Sequence, residues 1–508
     1  MIFNYDLIME QETNHYYNCL KGAVPLIGFG LAGFMVSCQP EGQQQKQRPN
    51  ILFIVTDDQA AWTVSYDSDL NAHTPNLDKL AESGVFFTNC FSNSANCSPS
   101  RAALITGRYP SEVGVTDLFG RVEVDGLPLE FTTFPDMFKT AGYNTAFIGK
   151  WHLGERENQR HYWPTNRGYD KFTGFSLHGA MSKSPTLRVD GEWHHFEGEY
   201  TSDLLTDIAM DYIDEFIAGP DGKPFLLSLH YWAPHANQGF PEGFEMPERG
   251  RSWLPLRDED LAYWDTLTVR FPHPDFPNLD SVLLDRYIRE YHSSVHSVDR
   301  NLGRLMKYLD ENSLMDNTII IYTADDGYMS GHNGLWHKGR GWWITNDQRD
   351  PYGIYEGWRR LNLYDNTLKV PFIIKWPGIV EESVVIDEVV RHTDIFPTLL
   401  EMAYIEKPAD LLLRGKSLVP LIKREDIIWD NDLYAEFSDL RSYRTTDWKI
   451  VKDFSGSIPH ELFDLRNDPE ERQNLYYSDR SDVIVIREKL ERMLIEKMAS
   501  INDPLLDQ

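Results

Sequence analysis

The chain has 508 residues, of which 41% are hydrophobic and 25% are charged. This composition is typical of a soluble globular protein and excludes a disordered or fibrous one, and the length suits one large domain plus a smaller one. The 49 Lys and Arg residues against 78 Asp and Glu residues give a formal net charge of −29. Since the sequence shows no basic stripe, we expect no nucleic-acid partner, and an anionic substrate would require a site with its own cations or a metal ion.

An apolar stretch at residues 23–36 follows Lys21 and ends close to Cys38. A short apolar core followed by small residues and a cysteine resembles a bacterial lipoprotein signal. We therefore expect residues 1–37 to be a signal segment, Cys38 to carry a lipid, and residues 38–48 to be a polar tether. The protein would then be exported to the periplasm or outer membrane and attached to the membrane only through that lipid. An ordinary cleaved signal is the alternative, whereas the stretch is too short for a spanning helix of ~20 residues.

Short apolar runs alternate with amphipathic stretches along most of the chain, which is typical of an α/β sandwich. The predicted strands are Asn50–Val55, Asn144–Ile148, Phe225–Leu229, Thr318–Thr323 and Val370–Lys375, and the predicted helices are Asp203–Ile217 and Leu284–Leu309. After about residue 425 the pattern changes to short strands at Asp432–Glu436, Trp448–Lys452 and Glu461–Asp464 and a closing helix from about Asp482 to Ser500. We therefore predict a large α/β domain over residues 49–424 and a smaller α+β domain over residues 425–508.

Polar side chains follow four of the predicted strands. They are Asp57 and Asp58, Lys150 and His152, His230 and His235, and Asp325 and Asp326. Ligand sites collect at the carboxyl edge of such a sheet, so we expect these segments to converge there. A single Asp-Asp pair is explained by a capped turn or a solvated loop. Two pairs after two apolar strands favour a site for a hard cation, Ca²⁺ or Mg²⁺, since such ions prefer oxygen ligands.

The sharpest motif is Cys97-Ser98-Pro99-Ser100-Arg101, continued as AALITGR to Arg108. Proline suits the first turn of a helix, so Cys97 is predicted to lie at the positive end of one, where backbone N–H groups favour an anion. Arg101, one turn later, could brace a nucleophile or an anionic group with its fork of donors. The alternative is a buried structural cysteine before a helix.

Cys90 could pair with Cys97 in an oxidising compartment. No Cys/His spacing of a zinc site is present in the sequence.

This motif, with its small-apolar helix and Thr-Gly-Arg, resembles the signature of the type I sulfatases, the formylglycine-dependent family of the alkaline phosphatase superfamily, in its bacterial carbohydrate sulfatase branch. Other stretches also resemble family motifs, namely Gly149–Gly154, His230–His235, Gly331–Lys338, Glu461–Leu465 and Asp468-Pro469-Glu470 with Asn474-Leu475. The likeness runs from about Asn50 to about Tyr477. It implies an alkaline-phosphatase-like fold, with a large mixed, mostly parallel sheet sandwiched by helices as the catalytic domain and a smaller C-terminal α+β domain.

The resemblance also implies that a formylglycine-generating maturation enzyme converts Cys97 to formylglycine (3-oxoalanine), whose hydrate supplies the nucleophile. A Ca²⁺ ion, or alternatively Mg²⁺, would contact this group and four acids, Asp57, Asp58, Asp325 and Asp326. At Asp326 this chain departs from the family, which usually has Asn, His or Gln there. The fourth carboxylate should tighten cation binding but places negative charge near an anionic substrate.

The resemblance further assigns roles to the cationic residues. Lys150 and Lys338 would hold sulfate, His152 would help the hemiacetal collapse, and His235 would protonate the leaving alcohol. Histidine has the right unperturbed pKa for both proton transfers. A lone histidine after a strand is usually only a polar cap, but two of them after separate strands at an acidic edge favour catalysis.

The expected function is hydrolysis of a sulfate ester on a sulfated carbohydrate, such as a polysaccharide, a glycosaminoglycan or a mucin-type glycan. One alternative is a phosphonate or phosphate ester hydrolase of the same superfamily. The other is a non-catalytic glycan-binding lipoprotein, which would keep an unmodified Cys97.

Specificity is predicted to lie between Lys338 and the strand at Val370. This segment contains Trp342, Trp343, Trp358, Arg349, Arg359 and Arg360 and shows neither helical nor strand periodicity. Long loops at the ligand edge of a sheet usually carry recognition. We expect the aromatic faces to suit sugar rings and the three arginines to bind a carboxylate or second sulfate. Equally, the aromatics could pack the loop onto the domain while the arginines pair with acids.

Overall fold

The computed structural model describes residues 48–68, 71–154, 159–176, 181–237, 252–380 and 383–507. The predicted signal segment, the predicted lipidation site Cys38 and nearly all of the predicted tether lie outside the described residues. Within the described part of the chain, no helix has the length and apolar character needed to cross a membrane.

The strands and helices alternate through most of the chain. The strands are β1 Asn50–Thr56, β2 Val85–Phe87, β3 Cys90–Phe91, β4 Asn144–Lys150, β5 Lys171–Phe175, β6 Thr186–Val189, β7 Glu192–His195, β8 Phe225–His230, β9 Thr318–Ala324, β10 Leu335–Trp336, β11 Arg340–Trp343, β12 Arg359–Leu361, β13 Lys369–Val370, β14 Phe372–Lys375, β15 Val384–Ile386, β16 Val390–Arg391, β17 Leu433–Phe437, β18 Leu440–Arg444, β19 Trp448–Asp453 and β20 Glu461–Asp464. The α-helices are α1 Pro75–Glu82, α2 Cys97–Thr106, α3 Phe134–Thr140, α4 Thr201–Ala218, α5 Asp258–Thr266, α6 Ser281–Glu311, α7 Asp365–Leu368, α8 His392–Met402, α9 Val419–Ile422 and α10 Ser481–Ser500. Short 3₁₀ helices lie at Ala61–Thr63, Pro110–Val113, Arg160–Tyr162, Pro164–Asn166, Met315–Asn317, His332–Gly334 and Pro504–Asp507.

The central sheet has ten strands in the order β15-β2-β14-β9-β1-β8-β4-β5-β6-β7. Strands β9, β1, β8, β4 and β5 run parallel to one another. Strand β14 is antiparallel to β9 and β2, and β6 and β7 extend the other side as antiparallel strands. The sheet is therefore large, mixed and mostly parallel, as predicted.

Both faces of this sheet are covered, which explains why its central strands are buried at nearly every position and are mostly apolar. Along β1, Ile51, Phe53 and Val55 pack in the core that contains residues of α2, α3 and α8. Leu52 and Ile54 point to the opposite face and pack in the core that contains residues of α1, α4 and α6. Because side chains alternate along a strand, one continuous hydrophobic run fills two cores.

The C-terminal part of the chain forms a four-stranded sheet in the order β17-β18-β19-β20, antiparallel throughout. Helix α10 packs against it through Leu490, Leu494 and Met498, which share a core with Ile450 and Leu462. This is the smaller α+β element of the predicted fold class. The boundary between residues 424 and 425 stays a prediction.

Two local predictions are wrong. The segment after Lys338 contains β11 and β12, which form a small sheet with β10. Strands of three or four residues are too short to show a repeating pattern. The predicted strand Val370–Lys375 is two strands, β13 and β14, in different sheets, because Pro371 between them has no N–H for a ladder.

Candidate active site

Four adjacent parallel strands deliver polar residues to one edge of the central sheet. Asp57 and Asp58 follow β1, and Asp325 and Asp326 follow β9. Lys150 is the last residue of β4, and His235 lies five residues beyond the end of β8. Since these strands are parallel neighbours, their carboxyl ends meet, and the four segments converge there.

Cys97 lies at this edge as the first residue of α2. Asn96 caps the helix, since its side-chain oxygen accepts a hydrogen bond from Cys97 N at 3.0 Å. The Sγ atom is 2.6 Å from Lys338 Nζ, 3.3 Å from Lys150 Nζ and 3.6 Å from Asp57 Oδ1. The positive end of a helix and two ammonium groups thus surround position 97, which is an environment for an anion.

The four acids are buried together, none more than 1% exposed. One oxygen of Asp325 holds the two pairs in place, since Oδ1 accepts from Asp58 N at 3.1 Å and from Asp326 N at 2.9 Å. Ligand atoms of Asp57, Asp58 and Cys97 lie within 4.8 Å of one another, and so do those of Cys97, Asp325 and Asp326. Acid pairs from β1 and β9 therefore share one compact group of oxygen atoms around position 97.

Three buried cations balance most of this charge. Arg101 Nε donates to Asp325 Oδ2 at 2.8 Å, and its Nη1 donates to Lys150 O at 2.7 Å. Lys150 Nζ contacts Asp57 Oδ2 at 2.5 Å. Lys338 Nζ contacts Asp58 and lies 3.1 Å from Asp326 Oδ2. Arginine and lysine are rarely buried without such partners.

Burial and charge set the protonation of these groups in opposite ways. Burial raises the pKa of the Cys97 thiol well above its usual value, and the two lysines only partly offset this. Burial also raises the pKa of Asp326, with Asp325 adding to the effect. For Lys338, burial opposes the charged form, but Asp326 and Asp58 outweigh it and hold the pKa well above its usual value. An unmodified Cys97 is therefore a neutral thiol and a weak nucleophile.

The histidines occupy distinct positions around this group. His235 Nδ1 lies 2.6 Å from Ala236 O, and its Nε2 lies 3.8 Å from Asp58 Oδ2. His152 is 2% exposed and has a left-handed backbone with φ of 57°, a conformation that is unusual outside glycine. His230 Nδ1 accepts from Arg101 Nη1 at 3.0 Å, and burial together with Arg101 lowers its pKa well below the usual value. His230 is therefore a neutral support for Arg101.

Gly149 is required for the close packing of β4 against β8. A Cβ atom at this position would lie 1.9 Å from His230 O, and the backbone φ is +99°. Only glycine accommodates both conditions. The lack of a side chain thus lets Gly149 lie opposite His230, immediately before Lys150.

The three arginines of the segment after Lys338 have different surroundings. Arg360 is 5% exposed, and its guanidinium binds Glu461 and Tyr364. This matches the packing alternative. Arg359 is exposed and lies over the rings of Trp358 at 4.0 Å and Trp342 at 5.5 Å. Arg349 is also exposed.

Some supporting residues were not predicted from the sequence. Tyr291, in the middle of α6, donates to Asp58 O at 2.7 Å and accepts from Ala60 N at 3.1 Å. Ser100 contacts Asp325 O and lies 3.2 Å from His392 Nδ1. A buried tyrosine on a long helix has no distinguishing sequence signal, whereas Ser100 lies within the cysteine motif.

Cys90 and Cys97 are both free, so no disulfide joins them.

Comparison with known proteins agrees with this geometry. The sulfatase family model matches residues 49–405, and a model of the N-sulphoglucosamine sulphohydrolase C-terminal region matches residues 353–500. The chain belongs to the sulfatase family. It is a sulfuric ester hydrolase.

Individual relatives align over nearly the whole chain. An N-acetylglucosamine-6-O-sulfatase of Bacteroides thetaiotaomicron is 27% identical over 95% of this chain and 91% of its own length. A ulvan-active sulfatase of Formosa agariphila is 28% identical over 95% of this chain and 88% of its own. A solved structure in complex with its substrate, D-glucosamine-2-N,6-O-disulfate, aligns with a TM-score of 0.68 and 26% identity, covering 90% of this chain and 99% of that one.

Proposed function

We propose that this sulfatase hydrolyses a sulfate ester on a sulfated carbohydrate, with formylglycine formed from Cys97 as the nucleophile and a bound Ca²⁺ or Mg²⁺ ion. The main support is the position of Cys97, at a helix N-terminus with Lys338 Nζ at 2.6 Å and Lys150 Nζ at 3.3 Å from Sγ. The names of the two curated relatives and the glucosamine disulfate complex support a saccharide substrate.

The residues present fit a hard divalent cation. Asp57, Asp58, Asp325 and Asp326 are buried beside the three cations of Arg101, Lys150 and Lys338. If all four acids are ionised, as ligands of a metal ion would be, the carboxylates outnumber these cations by one. An uncompensated buried charge is costly, and a sulfate group would add to it. Carboxylate oxygens are the ligands that Ca²⁺ and Mg²⁺ prefer. When bound, such an ion would polarise a sulfate oxygen and the nucleophilic oxygen.

The proposed role of the lysines is to bind sulfate oxygens. Lys150 and Lys338 approach position 97 from different elements, the end of β4 and the turn between β10 and β11. Arg101 is fixed by Asp325 and by the backbone of Lys150, which holds its charge beside position 97. The formylglycine hydrate would supply one hydroxyl to attack sulfur and a second whose deprotonation, assisted by His152, expels sulfate.

His235 is the proposed general acid. Because Nδ1 donates to Ala236 O, the protonated ring presents its second N–H at Nε2, on the side of Asp58. A proton delivered from Nε2 to the ester oxygen would release the sugar as a neutral alcohol.

Mass spectrometry of the peptide spanning Cys97 tests the nucleophile. Active protein should contain formylglycine at this position, and Cys97→Ala should be inactive. Alanine is the cleaner replacement because some maturation enzymes of the family also accept serine. The same preparation should hydrolyse sulfate esters faster than matched phosphate and phosphonate esters. Active protein with only cysteine at position 97, or a preference for phosphorus esters, would contradict the proposal.

Metal analysis tests the cation site. Asp325→Ala should lose the metal and the activity together, because it removes the carboxylate that holds both acid pairs. The control is Asp479→Ala, since Asp479 is exposed on the surface. Active wild-type enzyme without any divalent cation would exclude the assignment.

Export and lipid attachment at Cys38 also belong to the proposal and rest on the sequence alone. Labelling with a radioactive fatty acid should mark the wild-type protein and should fail for Cys38→Ala, which should also leave the membrane fraction. A wild-type protein without label would favour an ordinary cleaved signal.

A further inference from the structure

A cavity of about 210 Å³ lies between the small sheet β10-β11-β12 and helix α6. Its walls include Tyr287, Trp336, Trp342, Trp343, Gln348 and Trp358, and we refer to it as the tryptophan pocket. It is smaller than the ~300–1,000 Å³ of pockets that enclose a drug-sized ligand. The tryptophan pocket therefore has room for one ring of a saccharide rather than for a chain.

The pocket is close to the catalytic lysine of the proposed mechanism. Trp336 pairs with Trp342 across the antiparallel strands β10 and β11, and Lys338 lies in the turn that joins them. Lys338 is two residues beyond Trp336, so one hairpin carries a wall of the pocket and the lysine that contacts Cys97 Sγ. The ring of His337, between them in sequence, stacks on Trp342 with centroids 5.2 Å apart. A pocket on this hairpin suits the ring that neighbours a sulfated sugar.

The walls of the pocket suit a ring with apolar faces and polar edges. Indole rings offer large flat surfaces to the C–H faces of a pyranose. Trp336 and Trp343 are 1% and 4% exposed, so they form the inner wall of the pocket. Gln348 adds an amide with both a donor and an acceptor.

Two exposed arginines lie at the edge of the pocket. The guanidinium of Arg359 is 4.0 Å from the ring centroid of Trp358 and 5.5 Å from that of Trp342. Arg349 lines an adjoining surface cleft that shares Gln348 and Trp358 with the pocket. In a protein of net charge −29, such local cations are what would attract an anionic substituent.

We propose that the tryptophan pocket binds the sugar ring linked to the sulfated one, and that Arg359 binds an anionic substituent on that ring, either a carboxylate or a second sulfate. This inference rests on the proposed function and extends it. The substrate is then an acidic oligosaccharide or polysaccharide of at least two rings, and a sulfated monosaccharide fills only part of the site.

Substrates of increasing size test the pocket. The probes are 4-nitrophenyl sulfate, glucosamine 6-O-sulfate, and disaccharides that join this sugar to galactose, hexuronate or 2-O-sulfated hexuronate. Trp358→Ala and Trp342→Ala should lower the ratio of kcat/KM for a disaccharide to that for the aryl sulfate by about tenfold, since each removes one aromatic wall. Arg359→Ala should lower the ratio of kcat/KM for a disaccharide to that for the aryl sulfate only when the disaccharide carries hexuronate or 2-O-sulfated hexuronate. The disaccharide that is more affected shows whether Arg359 binds a carboxylate or a second sulfate.

Trp193→Ala is the matched control. Trp193 is 43% exposed and lies against an arginine, with Arg188 4.1 Å from its ring, but it belongs to β7 at the far edge of the central sheet. This variant should leave all substrate ratios unchanged. Equal losses on aryl and saccharide substrates in the pocket variants, with unchanged melting temperature, would overturn the inference.

Calorimetry separates failure of the pocket from failure of the proposed function. Cys97→Ala protein should bind the hexuronate disaccharide more tightly than glucosamine 6-O-sulfate, and adding Trp358→Ala should remove this difference. If the wild-type enzyme hydrolyses no saccharide sulfate but Cys97→Ala protein still binds the disaccharide more tightly, the proposed function is wrong and the pocket assignment is supported. If the two sugars bind equally well to Cys97→Ala, the pocket assignment is wrong.

Discussion

Nδ1 of His235 is hydrogen-bonded to Ala236 O, and Nε2 is the atom that we propose donates a proton to the leaving alcohol. We predict that His235→Ala lowers kcat/KM for a sugar sulfate by about 10²–10⁴-fold, the usual contribution of a general acid. An aryl sulfate with an acidic phenol should lose much less, because its leaving group needs no proton. The measurement is a pair of steady-state rates with each substrate. The surface variant His161→Ala is the control, and equal losses on both substrates would contradict the role.

Arg360 was predicted with Arg349 and Arg359 as a substrate residue, but its contacts are structural. Arg360→Ala would leave Glu461, which is 2% exposed, as an unpaired buried charge. We predict a loss of about 3–5 kcal/mol in the free energy of unfolding. The exposed Arg359→Ala should cost no more than about 0.5 kcal/mol. Urea denaturation measures both. A stable Arg360→Ala protein with impaired saccharide turnover would favour the original prediction.

At the scale of single elements, Glu436 of β17 is a buried acid whose pKa is raised to about 7, chiefly by burial. In the unfolded chain it ionises near pH 4.5. Between these values the unfolded state loses its proton before the folded state does, so this group lowers stability as pH rises through that range. The full effect is up to about 3 kcal/mol and is complete above pH 7.

Glu436→Gln tests this effect, since glutamine cannot ionise. The free energy of unfolding of the variant minus that of the wild type should rise between pH 4.5 and pH 7 and then level off. Glutamine still offers an oxygen to Ser111 N, which Glu436 contacts at 2.9 Å. A difference that stays constant over this range would show that Glu436 is ionised in the folded protein.

The central strands could be predicted because they are buried on both faces. Strands β1, β4, β8 and β9 are mostly apolar, and the polar residues that follow or end them mark one edge of the sheet. Their order in the sheet could not be predicted, since it depends on contacts between residues far apart in the chain. Strand β7, with the sequence EWHH and every residue exposed, has no alternation of buried apolar and exposed polar residues that would mark a strand.

The site residues also divide into those that the sequence could predict and those that it could not. The acids and Lys150 follow predictable strands, so their convergence follows from parallel topology. Lys338 instead reaches the site from a short hairpin turn, and Tyr291 from the middle of α6. Neither position follows from periodicity. The tryptophans of the same hairpin were identified by type, but only the tertiary structure shows that they enclose one cavity.

At the scale of the whole molecule, the net charge of −29 opposes an anionic substrate until it reaches the local cations. Raising the ionic strength from about 0.01 M to about 0.15 M shortens the screening length from about 30 Å to about 8 Å. We predict that kcat/KM for a polysulfated oligosaccharide rises several-fold over this range, because repulsion during approach is screened. A neutral sugar with one sulfate ester should respond much less. A fall in rate for the polysulfated substrate would show that local attraction outweighs the overall charge.

The burial of Cys97 has a consequence for the order of events as the protein is made. The thiol is 3% exposed and begins a helix whose residues are all buried, so a maturation enzyme cannot bring its own active site to Sγ in the folded protein. Lys338, which covers the sulfur, lies 241 residues further along the chain. During synthesis the cysteine therefore precedes its own enclosure by almost half the length of the protein. If the proposed function is right, the maturation enzyme converts Cys97 to formylglycine before the chain folds around it. A chain that folds before this conversion keeps its thiol.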